Sequence, residues 1–599
     1  MSSARDLRTL AVGRVLLLAF AAAMFVATWA SWPNLIIDSG REMYVPAVLL
    51  QGKQLYRDVW YPYGPLAPFV NALLFGAFGV HLNTLYGAGL AVISGSALVL
   101  HSIARRFMPP IAALVCGLGF LAQGFQSGLF NNILPYSFAA TFSALLCLLT
   151  LLFLLRYLEH RAGPNLVLAG LFAALAVVTK YESLLPCGTG LASGVLLHAW
   201  HGKHFWRSLR AGIFALLPGV AVAGVVYGWL VHKYGVEFLI HANWMSVPGS
   251  YFIQHYGSLW VRGRGLRFIP SEIAKVGFHS LIAMSLWFVL AFLLYKKRWL
   301  TAAGGVFLIA FLFPFIRHFF PLLGLPVFGN ITAGMLARDL VFPQGMFLIV
   351  LGFAILSIIG AIRYRQAPLP ALIVTIGMGL MLSLRVMVNI RPTGYAIYSS
   401  SLLFLVFMIV LWWVVDRVHR NAQSRARSIS VAAYFAVFAI LFAEMASGFY
   451  RGLPWPLIHT PLGDVRRTPW HMALVTDFLP VMQQAKSRGE KVLLLPELTG
   501  LYFIAGMQSP SRYESLTPGT LEPGKYTEIF LHEMESNPPD LIIVSNRRTS
   551  EYGVDYFGLD YDQAVLEWIE RRYRLAGEIG HFERKSDAPL AALMYRPKT

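Results

Sequence analysis

The chain has 599 residues, 57% of them hydrophobic and only 13% charged, and its mean hydropathy of +0.59 is more than a soluble enzyme of this size needs. Its formal charge of +19 would suit a nucleic-acid partner, but residues 449–599 hold 17 Lys+Arg against 19 Asp+Glu, leaving 32 against 11 for residues 1–448. The positive excess travels with the apolar part of the chain, which argues against nucleic acid and for membrane topology.

Apolar runs of about 20 residues, the length that crosses a hydrocarbon core of about 30 Å, recur through the first three quarters. Thirteen spans are predicted, near 10–30, 83–103, 109–125, 136–157, 164–180, 183–200, 210–231, 279–295, 299–316, 341–361, 369–387, 396–416 and 429–448. The first follows Arg5 and Arg8 as a signal peptide would, but no small-residue cleavage site comes after it, so it reads as a retained span. Basic residues cluster in alternate connections: Arg105-Arg106, Arg156 with Arg161, Lys203 to Arg210, Lys296 to Arg298, Arg363 with Arg365, and Arg417 to Arg427. By the positive-inside rule these are cytoplasmic. The loops 31–82, 232–278 and 317–340, and everything after the last span, are then extracytoplasmic.

Within loop 31–82, Ala67 to Val80 is apolar but too short to span, so a juxtamembrane helix is expected there, beside Trp60, Tyr61 and Tyr63. Loop 232–278 mixes Trp244, Tyr251, His255, Tyr256 and Trp260 with Arg262, Arg264 and Arg267, as an interfacial or re-entrant element would. After Tyr450 the composition becomes that of a soluble domain. The runs Lys491-Val-Leu-Leu-Leu-Pro and Asp540-Leu-Ile-Ile-Val-Ser read as buried strands, and 523–536 and 561–573 as helices, with no P-loop or dinucleotide glycine fingerprint. The expected organisation is a membrane domain over 1–448 and a small extracytoplasmic α/β domain over 449–599. Cys116, Cys147 and Cys187 all lie in apolar runs, and neither they nor His81, His241, His255 and His318 have a ligand spacing.

Carboxylates are scarce in the membrane part, yet Asp38, Glu42 and Asp58 share one loop at a membrane face. A loop Asp after a helix is ordinarily a solvated or capping residue. Here the loop is pinned to the bilayer, and an acidic group met there by a polar substrate is a candidate base or ligand. The neighbouring cations bear on which: with Arg41 or Arg57 beside it, Asp38 leans towards orienting or ligating rather than proton abstraction.

The pattern Asp38-x-Gly-Arg41-Glu42-x-Tyr-x-Pro, then Gly52-x-x-Leu-Tyr56-Arg57-Asp58, then Tyr63-Gly64-Pro65 and an apolar stretch ending Phe78-Gly79, resembles the first extracytoplasmic loop of bacterial GT-C glycosyltransferases. The similar subgroup is family-39-like, related to rhizobial lipopolysaccharide-core transferases and, further off, to lipid A aminoarabinose transferase and protein O-mannosyltransferases. Asn131-Asn132-x-x-Pro135-Tyr136-Ser137 and Thr179-Lys180-Tyr-Glu182 also resemble that subgroup. Many members carry Asp-Glu directly after the first span, whereas here Ser39 follows Asp38, and the loop near 126–135 has no carboxylate.

The resemblance implies an all-α polytopic membrane protein with two juxtamembrane helices in the first loop. It also implies an inverting transferase that takes a sugar from a polyprenyl-phosphate donor and passes it to a lipid, glycan or protein acceptor outside a bacterial inner membrane, the tail being periplasmic. Asp38 is the expected base, with Glu42 as a second carboxylate; Arg41, Tyr56, Arg57, Asp58 and Tyr63 are expected first-loop contacts. Lys180, Arg338, Arg385 and Arg391, all at outer-face depth, are candidates for the donor phosphate, although the same positions suit snorkelling or ion-paired residues. Dependence on a divalent cation is left open. A transporter or flippase of lipid-linked sugars is the alternative, but it more often shows related halves and modest loops.

Overall fold

A computed structural model describes residues 4–36, 38–127, 131–202, 204–245, 247, 249–256, the helix 369–383, scattered helical positions between 355 and 412, and residues 455–466, 472–585 and 588–598. The expected spans near 279–295, 299–316 and 429–448 lie outside the described residues, as do most of those near 341–361 and 396–416.

Where the expected spans are described they are helices: α1 (Ala4–Ala27), α4 (Leu82–Ala104), α5 (Pro110–Gly124), α6 (Phe138–His160), α7 (Gly163–Thr179), α8 (Leu184–His201), α9 (Phe205–Tyr234) and α12 (Leu369–Ser383). Among them α4, α6 and α9, and Arg8–Ala27 of α1, are long and apolar enough to cross a membrane. Their ends follow local chemistry. Pro110 opens α5, where a missing N–H costs nothing, and Ser137 caps α6 by accepting from the Ala140 N–H at 3.3 Å.

Between α1 and α4 the chain forms two further helices, α2 (Ser39–Leu50) and α3 (Leu66–Phe78), packed on each other. The second is the helix expected from its apolar stretch. The first has a weaker apolar pattern and Pro46 within it. Short helices α10 (Val236–Ala242) and α11 (Tyr251–His255) follow α9.

The C-terminal region begins with a hairpin, β1 (Leu457–Thr460) and β2 (Gly463–Arg466), seated on the aromatic cluster at the end of α1. Trp29 and Tyr86 both bond Asp464, through its carboxylate at 3.4 Å and its carbonyl at 2.8 Å. Then come α13 (Leu479–Ser487), β3 (Val492–Leu495), α14 (Thr499–Ala505), α15 (Lys525–Ser536), β4 (Leu541–Ser545), α16 (Gln563–Arg572), β5 (Tyr573–Ile579) and β6 (Ala592–Pro597). The sheet order is β3-β4-β6-β5, with β3 and β4 parallel in the register Val492↔Leu541 to Leu495↔Val544. Every residue of β3 and β4 is buried, which is why both read as unbroken apolar runs rather than alternating ones.

This region shares a core with the first loop. Leu501, Tyr502 and Phe503 of α14 belong to the same buried cluster as Met43, Tyr44 and Val48 of α2, and the Phe75 and Phe503 rings stack at 6.0 Å. The N–H groups of Leu498 and Gly500 donate to the carbonyls of Ile36 and Leu35 at 2.9 and 3.1 Å. Glycine permits this approach: a Cβ on Gly40 would meet the Gly500 backbone, and one on Gly500 would meet Leu35. The consequence is positional. The carboxyl ends of β3 and β4, continued by Glu497 and Arg547, face the loop that begins at Asp38.

Candidate active site

Asp38 stands at the N-terminus of α2 but makes no side-chain cap. Its Oδ1 accepts from Arg41 Nη2 at 2.7 Å, one turn along the helix. The Asp38 side chain keeps 18% of its surface exposed, against 8% for Arg41, and its Oδ2 has no hydrogen-bond partner among the described residues. Arg41 lies 5.2 Å from the centre of the Trp60 ring and 5.8 Å from that of Tyr63. The Lys180 ammonium sits 4.0 Å from the Tyr63 ring centre and 3.4 Å from Glu182. One aromatic ring is thus flanked by two cations, an arrangement worth more when desolvated, as Arg41 and Lys180 are. Burial opposes the Arg41 charge, yet Asp38, Tyr63, Glu514 and Glu42 together hold its guanidinium above the ordinary value.

The chain reaches Tyr63 by a tight path. Gly64 lies against the Val178 carbonyl, where a Cβ would collide, so the loop can lie flush on the end of α7. Tyr56, in a left-handed conformation at φ 71°, donates its hydroxyl to the Tyr63 carbonyl at 2.5 Å.

Glu42 occupies a different environment from Asp38. It is buried, and its carboxylate accepts from the Phe138 N–H at 2.9 Å and the Tyr61 hydroxyl at 3.3 Å. It therefore caps the first turn of α6, where a negative group complements the helix dipole, and ties α2 to α6. Burial pushes its carboxyl up to about 7, against the opposing pull of Arg41, the Phe138 N–H and Tyr61.

Of the residues expected from sequence, the structure brings together Asp38, Arg41, Tyr63 and Lys180, with Glu42 behind them and Tyr56 beneath Tyr63. Arg41, and not Arg57, is the cation beside Asp38. Arg57 and Asp58 lie on a turn, 3.7 Å apart, with the Arg57 side chain 68% exposed and Asp58 accepting from the Gln54 N–H at 2.9 Å. Arg338, Arg385 and Arg391 lie outside the described residues, as do Arg262, Arg264 and Arg267. Among the described residues, no group of three His, Cys, Asp or Glu side chains is placed to hold a metal ion.

The tail adds residues that sequence reading passed over. Glu497, after β3, pairs with Arg547, after β4, at 3.0 Å, and Arg547 also contacts Glu551. Burial pushes Glu497 up to about 7, opposed by Arg547, and Asp38 and Arg41 are among the charges it feels. Glu514 is buried as well, pushed up to about 7 by burial and opposed by Arg41. Arg512 fastens this segment to the membrane part: its guanidinium donates to the Tyr56 carbonyl and to Asn243 Oδ1, both at 2.8 Å, while its carbonyl accepts from the Trp60 N–H at 2.8 Å. The available signal was polar residues directly after two buried parallel strands, where α/β sheets place ligands. A groove with about 470 Å³ of empty volume, lined by Lys53, Phe69, Trp229, Lys233 and Tyr234, opens between the first loop and the end of α9.

The decisive likeness is to the oligosaccharyltransferase AglB of Archaeoglobus fulgidus in complex with an inhibitory peptide and a dolichol-phosphate, with a TM-score of 0.50 and 11% identity over 95% of this chain and 73% of that one. The likeness is one of fold, the GT-C fold. A second structure of the Archaeoglobus fulgidus oligosaccharyltransferase, with zinc and sulfate, matches at a TM-score of 0.49 and 12% identity over 94% of this chain and 71% of that one. ArnT from Cupriavidus metallidurans bound to undecaprenyl phosphate matches at 0.42 and 15% identity over 97% of both chains. No protein-family model matches the sequence, and no curated protein does. The GT-C fold and the apolar helices agree with the polytopic membrane class expected from composition.

Proposed function

We propose that the chain is a membrane glycosyltransferase that moves a sugar from a polyprenyl-phosphate donor to an acceptor hydroxyl at the outer face of a bacterial cytoplasmic membrane. The observation that carries this is the Asp38–Arg41 pair beside Tyr63 and Lys180: a carboxylate with one oxygen unengaged among the described residues, next to positive charge, on a GT-C fold. The fold neighbour complexed with dolichol-phosphate supports a lipid-phosphate donor here.

The chemistry follows from the charges. The acceptor O–H attacks the anomeric carbon, the bond from that carbon to the phosphate oxygen breaks, and the lipid phosphate departs with the electron pair. One displacement inverts the anomeric centre. The Arg41 contact leans Asp38 towards orienting the acceptor, but it engages Oδ1 alone; Oδ2 is left to accept the hydrogen bond of the acceptor O–H and to take its proton as the hydroxyl attacks, a general-base role. Negative charge grows on the leaving phosphate, so preorganised cations lower the barrier. Lys180 is the described cation best placed for this, with Arg338, Arg385 and Arg391 proposed to join it. Tyr63 and Arg41 would border the sugar, and Glu42 and Tyr56 hold the loop. The proposed site lies between a membrane domain, 1–448, and a periplasmic domain, 449–599; the acceptor is a lipid, glycan or protein.

The test is transfer itself. Full-length protein in liposomes, given radiolabelled undecaprenyl-phosphate hexoses and pentoses and a cell-envelope fraction, should move label from the donor lipid into a product. Transbilayer movement of intact lipid-linked sugar with no covalent transfer would instead favour a flippase.

A further inference from the structure

Buried polar groups nearly always have partners, so a buried carboxylate that lacks one calls for an explanation. Glu514 is buried, at 1% exposure, and neither carboxylate oxygen has a hydrogen-bond partner from another residue among the described residues. Arg41 Nε is buried and equally unpartnered. No ion pair joins the two side chains among the described residues, although each is within electrostatic reach of the other and of Asp38.

The placement of Glu514 is determined by its neighbours. Its carbonyl accepts from the Thr499 hydroxyl at 3.2 Å, at the start of α14, the helix whose Gly500 backs onto Leu35 and Gly40. Two residues earlier, the Arg512 carbonyl holds the Trp60 N–H at 2.8 Å, and Trp60 is the ring over which the Arg41 guanidinium lies. Glu514 therefore belongs to the same small region as Trp60, Arg41 and Asp38, but arrives from the C-terminal domain.

We propose that Glu514, with the Nε–H of Arg41, holds hydroxyls of a sugar ring at the Asp38 site and so makes the C-terminal domain part of the sugar-recognition surface. The inference rests on the glycosyltransferase reading above. Its chemistry selects the ligand class. An ionised carboxylate accepts hydrogen bonds and a protonated one also donates, so Glu514 suits vicinal hydroxyls in either state. It does not suit the donor phosphate, which it would repel. Burial pushes the Glu514 carboxyl up to about 7, so both states are accessible near neutral pH. The ring is either the one being transferred or one belonging to a glycan acceptor.

The experiment compares wild type, Glu514→Gln and Glu514→Ala, full length in nanodiscs, with thermal unfolding as the check on folding. The probes are bare undecaprenyl phosphate, undecaprenyl-phosphate glucose and mannose, and the methyl glycosides of both sugars. If the ring is the donor's, wild type should bind at least one sugar-loaded lipid about tenfold or more tighter than bare lipid. Glu514→Ala should abolish that difference and Glu514→Gln should reduce it, while the affinity of each for bare lipid stays within about twofold. If the ring is the acceptor's, the same loss should appear for a methyl glycoside and not for the donor. Either result supports the inference. Variants that keep every sugar preference, or that lose bare and sugar-loaded lipid in equal proportion, overturn it, the second outcome marking a purely structural carboxylate. Wild type that binds bare lipid but gains nothing from any sugar overturns this inference alone, whereas wild type that binds no polyprenyl phosphate brings down the functional reading beneath it.

Discussion

Replacing Asp38 by Asn separates proton transfer from structure. Arg41 reaches Asp38 Oδ1 at 2.7 Å, and an amide oxygen accepts the same bond, so α2 should keep its position. The bond loses its ionic component, which costs about 1 kcal/mol, the difference between a charge-assisted and a neutral hydrogen bond. The basic second oxygen is gone altogether. Loss of a general base lowers turnover by about 100-fold or more, equivalent to about 2.7 kcal/mol on the barrier. Arg41 meanwhile loses its neutralising partner, leaving the site one unit more positive, so affinity for undecaprenyl phosphate should hold or rise. The assay is label transfer from whichever donor supports wild-type turnover, run beside lipid-phosphate binding and thermal unfolding at matched expression. Turnover within threefold of wild type would remove Asp38 from the base role. Parallel loss of turnover and lipid binding would make it a ligand or a fold determinant instead.

Glu42→Gln tests the capping role. One of the two bonds, to the Phe138 N–H or the Tyr61 hydroxyl, must be given up because the amide nitrogen cannot accept. Turnover should fall less than in Asp38→Asn. The pH dependence has a definite sign: a buried carboxyl raised from 4.5 to about 7 contributes stability that is present in full below about 4.5 and lost as pH rises through about 7. The unfolding temperature of Glu42→Gln relative to wild type should therefore climb between pH 5 and pH 8, and a flat difference would contradict the assignment. Arg512→Ala removes two charge-assisted bonds and leaves the Tyr56 carbonyl and Asn243 unsatisfied. A loss of about 3 kcal/mol is expected, seen as faster hydrogen exchange in residues 509–517 and 55–63 together; exchange confined to one segment would show that Arg512 does not couple them.

Much of this was legible in the sequence. The apolar helices, α3 among them, and the strands β3 and β4 all follow from local apolar runs, because length and hydrophobicity are properties of contiguous residues. Helices α15 and α16 were legible from helical periodicity instead, with Tyr526, Phe530 and Met534 on the buried face of one and Val565, Leu566 and Ile569 on that of the other. The short spacing from Asp38 to Arg41 puts both on one helix turn, where they pair. The partner of Glu42 could not be read, since it is the N–H of Phe138, 96 residues away, and no local pattern records a cap supplied by another helix. The hairpins β1–β2 and β5–β6 were also missed. Their strands alternate weakly and are held by long-range contacts, as in Tyr86 with Asp464. Least legible was the meeting of Glu497, Glu514 and Arg547 with Asp38 and Arg41. Composition marks the tail as a separate soluble unit, whereas the close approach of Gly40 to Gly500 and the bonds of Arg512 to Tyr56 and Trp60 bring its sheet end down onto the first loop. A close approach of two backbones depends on what both lack, and that is settled by tertiary packing.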